Sequence, residues 1–289
     1  MKGRWIRRGL TALLAILLAI APMAATAEES TLRHVVNCEH WISLREEPSV
    51  KAKRIMKIPL RATVYLQEAD KAEGFVRVYY GGYGGYVLAQ YLSKTDPETG
   101  KPFAVRMYVA NCNEYINLRR SESTSAQSLA RLPLGTAVEC LRNPNEDSRM
   151  ALIRWTNPVT WERIEGYALR KYLSFVPAGE PLERVTLNAV RPGDKMWQQV
   201  ITDRKTLMEL ASILRNAEPG MIGKCPLGAQ LVFELKDGTR QYFEYPTDDC
   251  PDFAAENGEE FRLSKKDTSR LREIFKRTFD QLDQQGGLN

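Results

Sequence analysis

Part of the chain occurs twice. Asn37-Cys38 and Asn111-Cys112 each precede an Ile-x-Leu-Arg step, at Ile42 to Arg45 and at Ile116 to Arg119, an offset of 74 residues. The same offset pairs Ile58-Pro59-Leu60 with Leu132-Pro133-Leu134 and Val64 with Val138. It then becomes 81, where Gly85-Tyr86-Val87-Leu88 and Tyr91-Leu92-Ser93 match Gly166-Tyr167-Ala168-Leu169 and Tyr172-Leu173-Ser174. A seven-residue insertion between Arg142 and Trp161 accounts for the change and is expected to extend a hairpin loop. Two units of roughly 60 to 70 residues follow.

The strand signals inside each copy are short and bounded by turns. Thr63 to Gln67 and Phe75 to Tyr80 alternate, and Gly81-Gly82 and Gly84-Gly85 punctuate the approach to Tyr86. Copy two matches with Ala137 to Leu141, Leu152 to Trp155 and Gly166 to Leu169. Neither copy has a helical period of useful length. Five or so short strands in this span are expected to curl into a small antiparallel barrel.

The full order is Leu-Arg, a Ser/Pro-containing loop, Ile-Pro-Leu-x-x-x-Val, then Gly-Tyr-x-x-x-x-Tyr-Leu. It resembles bacterial SH3-like (SH3b) domains, twice, over residues 35–175. One departure is Arg61, which stands where Gly135 keeps the glycine usual after the Ile-Pro-Leu step, so copy one lacks an easy positive-φ residue there. The resemblance implies binding rather than catalysis: such modules hold cell-wall peptides, or pack on neighbouring domains, through a groove lined by aromatics. Candidate ligand-binding residues are Tyr80, Tyr83 and Tyr86 in copy one, with Trp155, Trp161 and Tyr167 in copy two. Tyr86 and Tyr167, with Tyr91 and Tyr172, also belong to the structural closing motif and are expected mainly in the core. Tyr83, between two Gly pairs, and Trp161, in the insertion, are the expected exposed rings, which can hold a peptide at low entropy cost.

Histidine usage narrows the chemistry. The two histidines, His34 and His40, both lie close to the expected mature N-terminus, at the very start of the first copy. Ser-His-Asp and Cys-His sites and His-ligated zinc sites are therefore not expected further along, although most peptidoglycan peptidases and amidases need one or the other. A carboxylate pair survives this filter. Residues 1–27 read as a signal peptide: Lys2 to Arg8 is basic, Leu10 to Ala21 is apolar, and Ala25-Thr26-Ala27 is a small-residue cleavage site. This run of twelve residues, apolar apart from Thr11, reaches about 18 Å as a helix, short of the roughly 30 Å hydrocarbon layer. Without those residues the charge falls from +5 to +1, which leaves no electrostatic footprint for nucleic acid.

After Pro177, Gly179 and Pro181 the pattern changes. Leu182 to Ala189 reads as a strand, and Asp203 caps a helix with Leu207, Leu210, Ile213 and Leu214 on one face before Pro219-Gly220. Gln230 to Leu235 and Arg240 to Tyr245 flank the hairpin signal Asp237-Gly238, and Phe261 to Leu263 adds a short strand. Ser264 and Asp267 start a final helix that buries Leu271, Ile274, Phe275, Thr278 and Leu282. The expected order is βαββ(β)α, and the segment is similar to small α+β domains of unknown role in exported Gram-positive proteins. The acidic stretch from Glu244 through Asp248, Asp249, Asp252, Glu256, Glu259 and Glu260 is expected to be a solvated loop, because its order does not fit an EF-hand. Cys225 and Cys250 flank the hairpin as a disulfide candidate, while Cys140 reads as a buried apolar thiol, with a bridge to Cys112 the alternative.

The fold class expected is thus multidomain: SH3-like barrels at 33–95 and 105–176, then an α+β domain at 182–285. The expected function is an exported, non-enzymatic binding or scaffolding protein of the cell envelope, with no cofactor and no metal. Its partners would be cell-wall peptide, peptidoglycan or an envelope protein, with no nucleic acid and no membrane span once the leader is removed. The alternatives are a carboxylate-based glycan hydrolase targeted by the barrels, and a structural or inhibitory protein whose barrels only pack on the last domain.

Overall fold

The repeat found in the sequence is a repeat of strand order. In the computed structural model, copy one forms β1 (Leu32–Val35), β2 (Trp41–Arg45), β3 (Arg54–Pro59), β4 (Thr63–Leu66), β5 (Phe75–Tyr80), β6 (Tyr83–Leu88) and β7 (Leu92–Ser93). Copy two forms β8 (Val105–Val109), β9 (Tyr115–Arg119), β10 (Ser128–Pro133), β11 (Ala137–Leu141), β12 (Met150–Thr156), β13 (Arg163–Leu169) and β14 (Leu173–Ser174). The first sheet runs β3-β2-β6-β5-β4-β1-β7 and the second runs β10-β9-β13-β12-β11-β8-β14, the same order twice. The structure describes residues 31–67, 74–141, 143, 145, 148–179, 181–190, 196–219, 227–246 and 250–284, so the expected signal peptide lies outside the described residues.

Each repeated motif residue has a backbone task. Asn37 and Asn111 adopt left-handed φ values of 56° and 55°, which Asn tolerates better than most residues. Their side-chain amides donate to Gln90 O at 3.2 Å and Lys171 O at 3.1 Å. Arg45 and Arg119 donate from Nη1 to Ala52 O and Ala126 O, both at 2.7 Å, and so fasten the loop that follows each Leu-Arg step. At Gly85 a Cβ would stand 2.6 Å from Arg45 O, and at Gly166 2.5 Å from Arg119 O. No other residue fits where the strands approach this closely.

Two expectations about the copies need correction. Each sheet has seven strands rather than five, and among the described residues the ladder is linear, with no pairing that closes it into a ring. The insertion falls mainly between β12 and β13. Copy one turns there through Gly81-Gly82, both at positive φ, directly after the Tyr80–Tyr83 pair. In copy two the strands extend to the Thr156–Arg163 pair before turning.

The remaining strands are β15 (Leu182–Val190), β16 (Met196–Ile201), β17 (Glu218–Pro219), β18 (Leu227–Leu235), β19 (Arg240–Pro246), β20 (Asp252–Ala255) and β21 (Glu260–Arg262). They form a third antiparallel sheet in the order β16-β15-β18-β19-β20-β21-β17, with helices α1 (Arg204–Arg215) and α2 (Lys265–Gln284). The order is therefore ββαβββββα rather than βαββ(β)α; β16, β17 and β20 carried no clear period in the sequence. Asp203 caps α1 by accepting from Thr206 N at 3.1 Å, and Ser264 Oγ accepts from Asp267 N at 3.1 Å at the start of α2. Leu271, Ile274, Phe275 and Thr278 are buried, whereas the side chain of Leu282 lies outside the described ones.

One hydrophobic core serves both copy two and the third sheet. Phe175, just past β14, meets Phe261 edge-on at 4.2 Å and Phe243 at 4.9 Å, in a cluster that runs from Val105 to Phe275. Copy one keeps a separate core built on Leu44, Met56, Ile58, Val64 and Val78, with Met196 of β16 packed against it. Copy one therefore joins the rest mostly through polar contacts, all within one compact unit, Thr31–Asn289.

Candidate functional site

The acidic stretch is not a solvated loop. Asp252 and its strand β20 are buried along all four residues, and Glu244, Glu256 and Glu259 are buried too. Burial of a carboxylate is costly unless something meets its charge, and here basic or hydroxyl side chains do. Arg262 grips Asp252 with bonds of 2.6 and 2.9 Å. Arg170 of copy two pairs with Glu259, which also accepts from Asn143 N at 2.6 Å. Arg61 of copy one pairs with Glu256 at 3.0 Å and with Asp96 at 3.4 Å.

Arg61 also explains why copy one departs from its twin. It takes the left-handed φ of 67°, matching Gly135 at 85°. The guanidinium lies 5.3 Å from the Phe103 ring and 5.8 Å from that of Tyr242, in addition to its ion pairs. A strained backbone position is thus occupied by a residue that connects copy one to the third sheet. His34 is buried beside it, stacked on Phe103 at 3.8 Å and hydrogen-bonded through Nε2 to Glu256 O. Burial, only partly opposed by Arg61, pushes the Glu256 carboxyl up to about 7.

Of the six candidate ligand-binding rings, Tyr80 is placed in this interface. Its hydroxyl donates to Glu244 at 3.2 Å, and burial pushes that carboxyl up to about 8. Gln230 reaches from the same sheet to Leu60 O at 2.9 Å, while Gln241 donates to Arg106 O and Phe175 O in copy two. Tyr86 and Tyr167 are half-buried and lie opposite Arg45 and Arg119. Trp155 is half-buried against the shared core. Tyr83 is exposed at the Gly81-Gly82 turn.

Trp161 differs from the other five. Its side chain is 78% exposed and its backbone φ is 59°. Asn157 organises the loop that carries it, accepting at its carbonyl from Trp161 N at 2.9 Å and at Oδ1 from Val159 N at 2.9 Å. The indole is therefore held out on a structured turn, at some cost in backbone strain.

Two further surface rings escaped the sequence reading. The Trp41 ring lies under Lys57 Nζ at 4.5 Å and Arg54 at 5.1 Å; its counterpart Tyr115 lies under Arg131 at 4.8 Å. The offset of 74 relates Trp41 to Tyr115 and Lys57 to Arg131, so a repeated aromatic–cation pair was present in the sequence. Cys38, Cys112 and Cys140 are free thiols, and burial raises the pKa of Cys140. Cys250 is disulfide-bonded, and its expected partner Cys225 lies outside the described residues, as do Asp248 and Asp249. Among the described residues no group of three or more His, Cys, Asp or Glu side chains could hold a metal ion.

No family model matches the chain, and no curated protein matches it. Among solved structures it is similar to NlpC2 from Trichomonas vaginalis at 12% identity and a TM-score of 0.28, over 82% of this chain and 92% of that one. NlpC1 from the same organism gives 11% identity and a TM-score of 0.27, over 88% and 93%.

Proposed function

We propose that the protein is an exported, non-enzymatic binding or scaffolding component of the cell envelope. Two SH3-like modules, followed by an α+β domain, contact cell-wall peptide or a protein partner. The observation that carries this reading is Trp161, an exposed indole on a loop fixed by Asn157. Exposed aromatic anchors on rigid supports are the usual source of binding energy at recognition surfaces. The engagement of Glu244, Asp252, Glu256 and Glu259 with internal partners favours binding over carboxylate-based hydrolysis. Co-sedimentation of the mature chain with insoluble peptidoglycan tests the reading. Retention in the pellet, reduced in Trp161→Ala, is expected; a chain that stays in the supernatant would instead have barrels that serve only to pack on the third sheet.

A further inference from the structure

The two copies share a plan, yet one outward row of side chains has diverged between them. Across β4, β5 and β6 the paired residues are Tyr65, Tyr79 and Gly84. The same row across β11, β12 and β13 is Glu139, Arg154 and Glu165. In copy two the row satisfies itself: Arg154 donates from Nε to Glu165 at 2.7 Å and from Nη1 to Glu139 at 3.1 Å. Its one cation is thus committed to its own two acids, and the row keeps a net negative charge that repels a carboxylate.

Copy one presents different chemistry at that place. Tyr65 and Tyr79 are 37% and 39% exposed, and the row ends on a residue with no side chain. A Cβ at Gly84 would stand 3.4 Å from Gln67 Oε1 and 4.0 Å from Arg77 Nη2, so an amide and a guanidinium converge beside the two rings. Arg77 is exposed and forms no ion pair among the described residues. Its counterpart opposite Tyr167 in copy two is the uncharged Leu152. Strands β4, β5 and β6 contain no Asp or Glu, whereas β11, β12 and β13 contain Glu139 and Glu165.

We infer that, of these two equivalent rows, the one on copy one forms a peptide subsite through Tyr65, Tyr79, Gly84 and Arg77, and that it takes an extended peptide bearing a carboxylate. Flat tyrosine faces take a peptide plane at low entropy cost, and the bare glycine lets the peptide backbone come close. The Arg77 guanidinium, which pairs with no acid among the described residues, supplies a charge-assisted bond to the carboxylate. The inference rests on the binding reading and adds to Trp161 a second surface with a stated ligand chemistry.

Calorimetric titration of the mature full chain with acetyl-Ala-Glu-Ala-Glu-Ala-amide, and with its neutral Gln counterpart, tests this. The acidic probe is expected to bind at least about tenfold more tightly than the neutral one. Tyr79→Ala and Arg77→Gln each weaken it about tenfold, while Arg154→Gln leaves it unchanged. Both copy-one positions are exposed, and unchanged thermal melts confirm that the variants fold. Equal affinity for the two probes, or full affinity in both Tyr79→Ala and Arg77→Gln, overturns the inference. A chain that sediments with peptidoglycan but does not bind the acidic probe overturns it and leaves the binding function standing. Failure in both assays removes both.

Discussion

Tyr80 of the first sheet donates its hydroxyl to Glu244 of the third across 3.2 Å, with both side chains buried. A ring that its sequence context marked as a ligand contact is instead a joint between sheets. The carboxyl it meets is held up to about 8 by burial, against an ordinary value of 4.5. Burial favours the protonated acid there, against the donors Tyr80 and Gln230, and its behaviour with pH follows.

Stability should fall as pH rises from about 4.5 toward 8. The folded state keeps the Glu244 proton through that window while the unfolded state releases it, so each step up in pH favours unfolding. Glu256, raised to about 7, adds to the same trend over the lower part of the range. Urea midpoints measured at pH 5 and pH 8 should differ more in the wild type than in Glu244→Gln. Equal differences would show that Glu244 titrates normally.

Arg170 and Glu259 form a buried ion pair between copy two and the third sheet. Removing one partner strands a charge, so Arg170→Ala or Glu259→Ala should cost about 3–5 kcal/mol. The double variant Arg170→Met with Glu259→Leu should cost much less than the sum of the single changes. A double-mutant cycle by chemical denaturation reads the coupling directly, and additive losses would rule the pair out as a unit.

Arg61 carries opposing effects at one position. Its φ of 67° disfavours any residue with a Cβ, while its guanidinium meets the buried Glu256 at 3.0 Å. Arg61→Gly relieves the backbone but leaves that acid without its cation; Arg61→Ala loses the cation and keeps the strain. Arg61→Ala should be the less stable of the two by about 1 kcal/mol. The reverse ranking in thermal melts would mean that the left-handed backbone is not strained.

The close approaches at Gly85 and Gly166 make a further pair of tests. A methyl group at either would sit within 2.6 Å of a backbone carbonyl, which can yield only if the strands part. Gly85→Ala and Gly166→Ala should each destabilise by about 1–3 kcal/mol, a typical cost of overpacking. Gly74→Ala, where a Cβ meets nothing within 4 Å, would be strained only by its φ of 80°. Melting temperatures of the three variants should separate the two mechanisms.

What could be read from the sequence was whatever repeats or alternates. Asn37, Arg45 and Gly85 were visible as repeat marks because Asn111, Arg119 and Gly166 return at matching places. Their tasks were hidden, since a carbonyl approached by a glycine leaves no pattern along the chain. The acidic stretch looked solvated because its cations, Arg61 and Arg170, lie far away in sequence and belong to other sheets. Strand β20 has all four residues buried, so it shows neither alternation nor a helical period. Tyr80 fits the same account: its alternating strand was legible, while the Glu244 that covers it was not.

The central claim is that exposed rings on this scaffold bind material of the cell wall. Titration of the mature chain with soluble wall fragments, followed by tryptophan fluorescence, addresses it most directly. The account predicts a saturable change in emission that is diminished in Trp161→Ala while the thermal melt is unchanged. Emission that stays constant with every fragment, or a response identical in Trp161→Ala, would contradict it.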